Sequence, residues 1–284
     1  MRLRVRRLIA RFAVVAGLSC LPVHPQEAPG PAAVDIASRV QKNVAAFQEL
    51  LPDFICDERV TRHEIEQGKV TREDRFISSF RVTRRKSPVS STSPVFLETR
   101  EVISATVKGK PATVRNYVPP IGVTDGFNDD LFYFFDKEKE KCFDFELAGS
   151  EKIRGRTTLI LSIRAKDNVK RIGGKCSSLS PGETSKAFVD SELMQVMRLQ
   201  LFPTGYLQFA GPLSRWNGKY VIYQSIDYAE VFINGVPYWL PAAKRAEFVK
   251  LKGQRSYLYV VEYSNFHKFD VSAKVLPADY KQSK

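Results

Sequence analysis

Residues 35–66 decide the fold, and they read DIASRVQKNVAAFQELLPDFICDERVTRHEIE. Apolar side chains first recur every three or four residues, which predicts an amphipathic helix over Asp35–Leu51 that ends at Pro52. The members of this stripe are Ile36, Val40, Val44, Phe47 and Leu51. The apolar start Phe54–Cys56 then begins a run typical of a strand. A helix with one apolar face, followed by strands, predicts an α+β protein whose helix packs on a sheet.

Strand patterns continue to the end of the chain. Predicted strands lie near residues 54–66, 76–82, 94–108, 111–117, 142–148, 157–166, 186–191, 197–201, 219–233, 238–252 and 257–263. Short turns such as Lys108-Gly109, Gly149-Ser150 and Asn234-Gly235 separate them, so consecutive strands must pair antiparallel. A sheet of roughly eight to eleven strands tends to curl or split instead of staying flat, which predicts a mainly β protein with a single, strongly curved antiparallel sheet. Its covered face is expected to include Phe80, Leu199, Tyr259 and Val261, with Arg81, Arg198 and Gln200 facing water.

Two irregular stretches interrupt the strands. The first leads to a short second helix, Asp130–Phe135, which Asn128 or Asp129 would cap. Together with Asp125 these residues form the best carboxylate cluster of the chain, but they lack the alternating ligands of a calcium loop. The second stretch, Asn168–Ser185, is rich in Gly and Ser and predicts a mobile loop suited to contacting another protein.

The first 26 residues have the layout of a secretory signal peptide. Five arginines up to Arg11 precede the apolar run Phe12–Leu21, and Pro22 follows. The run is shorter than the roughly 20 apolar residues that a membrane span needs. A lipid-modified Cys20 is a second interpretation, although Gly17 stands where a lipoprotein signal carries a leucine-like residue. We expect a signal peptide at 1–26, a tether at 27–33, one β-rich domain at 34–276 and a flexible tail at 277–284, in a protein exported to the periplasm or outer envelope.

The charge balance limits the class of partner. The formal net charge is +13, and the predicted signal peptide carries five of the basic residues and none of the acidic ones. No zinc-finger or RNA-binding pattern accompanies the basic residues, which argues against nucleic acid. The densest cluster, Arg81 with Arg84-Arg85-Lys86, suits an anionic membrane surface or an acidic envelope polymer, to which the protein would be peripheral. The alternating charges of Lys137–Lys141 predict a solvated face.

The cysteines fit an oxidising compartment. Cys142 and Cys176 each lie at the edge of a predicted strand, and we predict a disulfide between them. Cys56 lies in an apolar strand start and is expected to be buried and free.

The sequence predicts no catalytic residue, metal site or cofactor. None of the patterns C-x-x-C, H-E-x-x-H and G-x-S-x-G occurs. His63 and Glu64 superficially suggest metal ligands, but neighbouring residues of a strand point to opposite faces. A hydrolase that uses Asp129, Asp130 or His267 is the enzymatic alternative.

Four phrases of the sequence carry a resemblance. They are Leu51–Cys56, Gly126-Phe127 before Leu131-Phe132, Lys186–Asp190 before Met197–Leu199, and Tyr263–Phe269. Their order over residues 35–275 resembles a group of uncharacterised exported proteins from soil bacteria of the acidobacterial type. More distantly, one long helix before a meandering sheet resembles the LolA-like lipoprotein-carrier superfamily, which includes anti-sigma-factor partners that sense envelope stress. This resemblance implies a half-barrel with helices over its concave side and an apolar cavity for acyl chains.

Two functions follow besides the hydrolase. One is a non-enzymatic envelope protein whose curved sheet binds a lipid, an acylated protein or another apolar ligand. The other is an envelope protein-interaction or stress-sensor module without a ligand cavity. The partners would then be a lipid or lipoprotein in the first case and an envelope protein in the second.

Overall fold

The computed structural model describes residues 31–85, 95–113, 127, 129–203, 205–209 and 218–269. The predicted signal peptide with Cys20, the predicted tail and Asn128 lie outside these ranges. The N-terminal helix, α1, runs from Pro31 to Leu50. It begins four residues before the predicted start, so the last residues of the predicted tether are helical. Proline suits the first position of a helix, because it has no N–H group to leave unpaired there.

The described strands form one twelve-stranded sheet. Their bounds are β1 Phe54–Glu66, β2 Lys69–Arg85, β3 Val95–Val107, β4 Lys110–Pro111, β5 Phe143–Ile153, β6 Arg156–Ala165, β7 Thr184–Asp190, β8 Val196–Leu201, β9 Leu207–Phe209, β10 Gly218–Ile233, β11 Val236–Lys250 and β12 Arg255–Lys268. The order across the sheet is β4-β3-β2-β1-β12-β11-β10-β8-β7-β6-β5, and β9 pairs with β10 alone. Every pair is antiparallel. The predicted fold class, a mainly β protein with one large curved, unclosed sheet and few helices, is confirmed.

Two-residue turns with both residues at positive φ join several of the strands. At Asn234-Gly235 the φ angles are 49° and 80°, the type I′ geometry that matches the twist of a hairpin. The prediction of a turn at Gly149-Ser150 is wrong, because β5 continues through it with a bulge between Leu147 and Ser150. The chain reverses later, at Arg154-Gly155, with φ angles of 49° and 81°. A glycine at a bulge and a glycine at a turn look alike in sequence.

Short helices occupy both irregular stretches. The second helix, α2, is Asp129–Phe135, as predicted to within one residue, and the 3₁₀ helix η1, Lys137–Cys142, follows it. The predicted mobile loop 168–185 is wrong, since it contains the helix α3, Val169–Ile172, and the 3₁₀ helix η2, Gly174–Ser178. Val169, Cys176 and Leu179 are fully buried and hold this segment against the core.

Two hydrophobic cores lie on the covered side of the sheet. The helix-covered core joins α1 and α2 to β5–β8 and the middle of β10, and aliphatic residues dominate it. The aromatic core joins β1–β3, β11 and β12, and half of its buried residues are Phe or Tyr. All four residues expected to face inward are buried: Phe80, Leu199, Tyr259 and Val261. Leu51 follows α1 directly and belongs to the aromatic core.

A charged network lies inside the aromatic core. Glu58 is fully buried, and its carboxylate accepts hydrogen bonds from Nε of Arg100 at 2.9 and 3.0 Å. The same guanidinium pairs with Glu98 at 3.3 Å and lies 4.3 Å from the ring centre of Phe80. The Glu98 carboxylate in turn accepts the backbone N–H of Phe127. Because buried charges are costly unless paired, this network makes the aromatic core dependent on each of its members.

Candidate functional site

One face of α1 is turned away from the sheet core and borders an open groove. Ser38, Gln41, Ala45 and Gln48 are spaced three, four and three residues apart, which places them on one helix face. This groove, which we name the α1 groove, has a volume of about 560 Å³ and lies between α1, α2 and η1. Its lining residues are Ser38, Gln41, Lys42, Val44, Ala45, Gln48, Phe132, Phe135, Asp136, Lys137, Glu140 and Lys175.

The floor of the α1 groove is apolar. Val44 and Phe135 are buried members of the helix-covered core, and half-buried Phe132 packs beside them. The ring of Phe132 lies 6.1 Å from that of Phe47 and stacks at 5.9 Å on that of Phe96. These rings extend the apolar surface from the groove toward β3.

Gln41 is the buried polar residue of the α1 groove. Its side chain is 7% exposed, and within the described residues its Nε2 has no hydrogen-bond partner. A buried amide group without a partner costs roughly 1–3 kcal/mol, so such groups are rare in folded proteins. An orphaned buried amide at the wall of an open groove is what a site for an oxygen-bearing ligand would provide.

Lysines dominate the rim of the α1 groove. Lys42 and Lys137 are exposed, and neither has an ion-pair partner among the residues that the structure describes. Lys175 bridges Asp136 at 3.0 Å and Glu138 at 2.9 Å, and these two carboxylates raise the pKa of the Lys175 ammonium. Asp136 also accepts the backbone N–H of Glu138 at 2.9 Å and so caps η1. The acidic side chain Asp136 is therefore occupied, and the rim presents positive charge.

A disulfide holds the wall that η1 contributes. Cys142, the last residue of η1, and Cys176 in η2 are joined with an S–S distance of 2.02 Å, and both are fully buried. This is the pair that the strand-edge positions predict. Because the bond ties η1 to the segment that carries Lys175, it fixes one side of the α1 groove.

A second groove lies on the other side of η1. It has a volume of about 960 Å³ and shares Lys137, Glu140 and Lys175 with the α1 groove. Its walls are largely charged, with an ion pair at 3.7 Å between Lys166 and Asp144. Four lysines and three acidic residues lie in its lining beside Phe143 and Phe145, and this groove is wider and more open than the α1 groove.

The cysteine and histidine predictions can be placed on the structure. Cys56 is free and buried, and burial together with Glu58 raises the pKa of its thiol well above the usual range, which makes the thiol inert. The Nε2 atom of His63 lies 3.0 Å from Glu73 on the neighbouring strand. Glu64 instead pairs with Arg255 at 3.1 Å. His63 and Glu64 therefore engage different partners.

The other candidate catalytic residues lie on separate elements. Asp129 and Asp130 begin α2, whereas His267 is exposed near the end of β12, with its Nδ1 at 2.9 Å from the carbonyl oxygen of Asn265. Among the residues that the structure describes, no group of three or more His, Cys, Asp or Glu side chains is arranged to hold a metal ion. No described helix is both long enough and apolar enough to cross a membrane.

The α1 groove was not predicted from the sequence. Gln41 and Lys137 look like ordinary solvent-facing residues of two helices, and the alternating charges of Lys137–Lys141 predict a fully solvated face. In the structure Lys139 is partly buried, with its Nζ 3.8 Å from the ring centre of Tyr133. The one signal in the sequence was the small and polar stripe Ser38–Gln48 beside the apolar stripe of α1.

No protein-family model matches the sequence, and the search of curated proteins found no match. Solved structures of similar shape include a DUF1329 family protein from Desulfovibrio piger, at 15% identity and a TM-score of 0.38, covering 87% of this chain and 95% of that one. A LolA superfamily protein from Nitrosomonas europaea matches at 13% identity and a TM-score of 0.36, and the match covers 88% of this chain and 99% of that one. A putative outer membrane lipoprotein-sorting protein domain from Vibrio parahaemolyticus matches at 12% identity and a TM-score of 0.36, and the match covers 83% of this chain and 91% of that one. At such identities and scores the likeness assigns no activity.

Proposed function

We propose that this protein is an exported, non-enzymatic protein of the cell envelope that binds the apolar part of a lipid or acylated protein in the α1 groove. The observation that carries the proposal is the combination of an apolar floor at Val44, Phe132 and Phe135 with the unpartnered amide of Gln41. Ligand sites typically pair a mostly apolar lining with a few convergent polar groups.

The size and openness of the α1 groove suit such a ligand. Small-molecule sites span roughly 300–1,000 Å³, and the α1 groove has about 560 Å³. The stretch of α1 from Ser38 to Gln48 is roughly 15 Å long at 1.5 Å per residue. An extended apolar chain laid along this helix face would contact Ala45 and then the ring of Phe132.

The proposed site differs from a cavity enclosed by the curved sheet. Within the described part of the chain the covered face is filled by side chains, among them Phe54, Phe80 and Tyr259, which are all at most 1% exposed. Phe127 adds a further ring 5.0 Å from that of Tyr263. Bulky aromatic residues thus fill the part of the covered face that they line, and the α1 groove lies outside it.

Two neighbouring alanines of α1 provide a matched test. Ala45 lines the groove, whereas Ala46 is exposed next to it and does not. Binding of a fluorescent acyl probe would be titrated for the wild type, Ala45→Trp and Ala46→Trp, and native mass spectrometry would identify any lipid that co-purifies. We expect Ala45→Trp alone to weaken binding, by about tenfold or more, because the indole fills the groove. An equal effect of both variants, or no binding by the wild type, would refute the proposal.

A further inference from the structure

We propose that the α1 groove selects single-chain amphiphiles with an anionic head group, such as a long-chain carboxylate. This inference rests on the proposed function and adds the chemistry of the head group. Three observations around the groove support it. Lys42 and Lys137 have no ion-pair partner among the described residues, Asp136 is already paired with Lys175, and within the same residues the amide of Gln41 has no hydrogen-bond partner.

The rim cations supply the charge complementarity. Lys42 on α1 and Lys137 on η1 lie on opposite sides of the groove and have no ion-pair partner among the described residues. Of the two acids that line the groove, Asp136 already binds Lys175 at 3.0 Å and a backbone N–H of η1. Glu140 is therefore the remaining acid of the lining that could offset the positive charges of Lys42 and Lys137. A carboxylate placed between these lysines would gain charge-assisted hydrogen bonds from both sides.

The amide of Gln41 supplies a further donor. Gln41 lies one turn of helix from the apolar residues Val44 and Ala45, so a head group near Gln41 leaves its chain on the apolar floor. An acceptor oxygen at this end of the groove would give Nε2 the hydrogen bond that the described residues do not provide. A neutral alkyl chain would leave the amide unsatisfied.

The size of the groove favours one chain. A volume of about 560 Å³ lies near the middle of the range for small-ligand sites. The second chain of a diacyl lipid would have to lie outside the floor that Val44, Phe132 and Phe135 form.

Palmitate and hexadecan-1-ol test the inference, since they share one chain and differ in the charge of the head group. Both would be titrated as competitors of the fluorescent acyl probe, below their aggregation concentrations, at neutral pH. We expect the affinity for palmitate to be at least about tenfold higher than that for the alcohol, because hydrogen bonds to a charged group are stronger than those to a neutral one. The double variant Lys42→Glu/Lys137→Glu should lose this preference.

Two comparisons make the outcome specific. The control Lys69→Glu/Lys252→Glu reverses two exposed charges away from the groove and should keep the preference. Gln41→Met, which keeps the length of the side chain but removes the donor, should weaken palmitate binding more than hexadecan-1-ol binding, because a hydrogen bond to a charged carboxylate is stronger than one to a neutral hydroxyl oxygen. Equal affinity for both compounds, or the same loss in the control, would overturn the inference while the proposed function stands. Binding of neither compound would overturn both.

Discussion

The two larger cores in the described part of the protein solve the same packing problem with different chemistry. The aromatic core is built on β1–β3, β11 and β12, and it encloses a buried ion network at Glu58 and Arg100. The helix-covered core is aliphatic, and α1, α2 and the disulfide between Cys142 and Cys176 close it. The charged side chains Lys42, Asp136 and Lys137 lie at its edge, around the α1 groove.

The difference shows where a binding site has room to form. Rings stacked on a sheet fill space with few rotatable bonds, and a buried charge network tolerates little rearrangement. A helix laid on aliphatic residues leaves its flank free, and at that flank the α1 groove opens. The aromatic core thus serves as a rigid scaffold, and the helix-covered core carries the proposed site.

The largest expected effect is in the aromatic core. Arg100→Met leaves the carboxylate of Glu58 buried without its guanidinium, which should cost about 5 kcal/mol of unfolding free energy. Urea denaturation monitored by circular dichroism would measure this loss. The double variant Glu58→Leu/Arg100→Met removes the stranded charge and should recover most of it. If the single variant cost under about 1 kcal/mol, the network would not be the buried pair described here.

The disulfide should have the next largest effect, on the other core. Cys142 and Cys176 are 34 residues apart, and the chain-entropy account gives a stabilisation of about 4 kcal/mol for a loop of this length. The double variant Cys142→Ala/Cys176→Ala and the reduced wild type should therefore lose similar stability in urea. Cys56→Ala serves as the control, since its response to reducing agent should equal that of the wild type. Non-reducing peptide mapping that linked Cys56 would contradict the assignment.

The pH dependence of folding stability should reflect the ionisation of Asp190, the last residue of β7. A hydrogen bond from Arg156, aided by the backbone N–H groups of Leu193 and Glu192, lowers the pKa of the buried Asp190 carboxyl. A carboxyl whose pKa is lower in the folded than in the unfolded state stabilises the protein at pH values above its pKa in the unfolded state. This contribution disappears as the pH falls through the pKa of the folded state.

Asp190→Asn should accordingly lower the free energy of unfolding by about 2 kcal/mol at pH 7. The difference in unfolding free energy between this variant and the wild type should shrink as the pH falls below about 4. Urea midpoints measured across this pH range would test the trend. Asp144→Asn is the matched control, because Asp144 is exposed and lies 3.7 Å from Lys166. A constant difference between Asp190→Asn and the wild type at every pH would contradict the assignment.

The smallest effect is expected at the rim of the groove. Lys175 is 45% exposed in its ion pairs with Asp136 and Glu138, and exposed pairs contribute roughly 0–1 kcal/mol. Lys175→Met should therefore change the melting temperature little, in contrast to Arg100→Met. A loss of several kcal/mol of unfolding free energy would show that the rim charges stabilise the fold as strongly as the charges of the aromatic core.

The features that alternate along the sequence could be predicted from it. The apolar stripe of α1, the antiparallel strands and the hairpin at Asn234-Gly235 all follow from local periodicity and turn chemistry. The inward positions of Phe80 and Tyr259 follow in the same way. The kinship with exported proteins of the acidobacterial type and the removal of residues 1–26 remain predictions.

The features that depend on tertiary packing could not be predicted in this way. Gly149 reads as a turn residue, but pairing with β6 makes it part of a bulge. The polar loop 168–185 reads as mobile, yet the contacts of Val169 and Leu179 bury it. Gln41 is unremarkable on a helix, and it becomes a candidate ligand contact only because α2 and η1 pack beside it.

The central claim is that ligand binds beside α1 and not inside the aromatic core. Hydrogen exchange followed by mass spectrometry, with and without saturating acyl probe, tests it directly. Added protection confined to peptides that cover residues 38–48 and 132–141 is the predicted result. Protection concentrated in β1–β3 and β12, with α1 unchanged, would contradict the account.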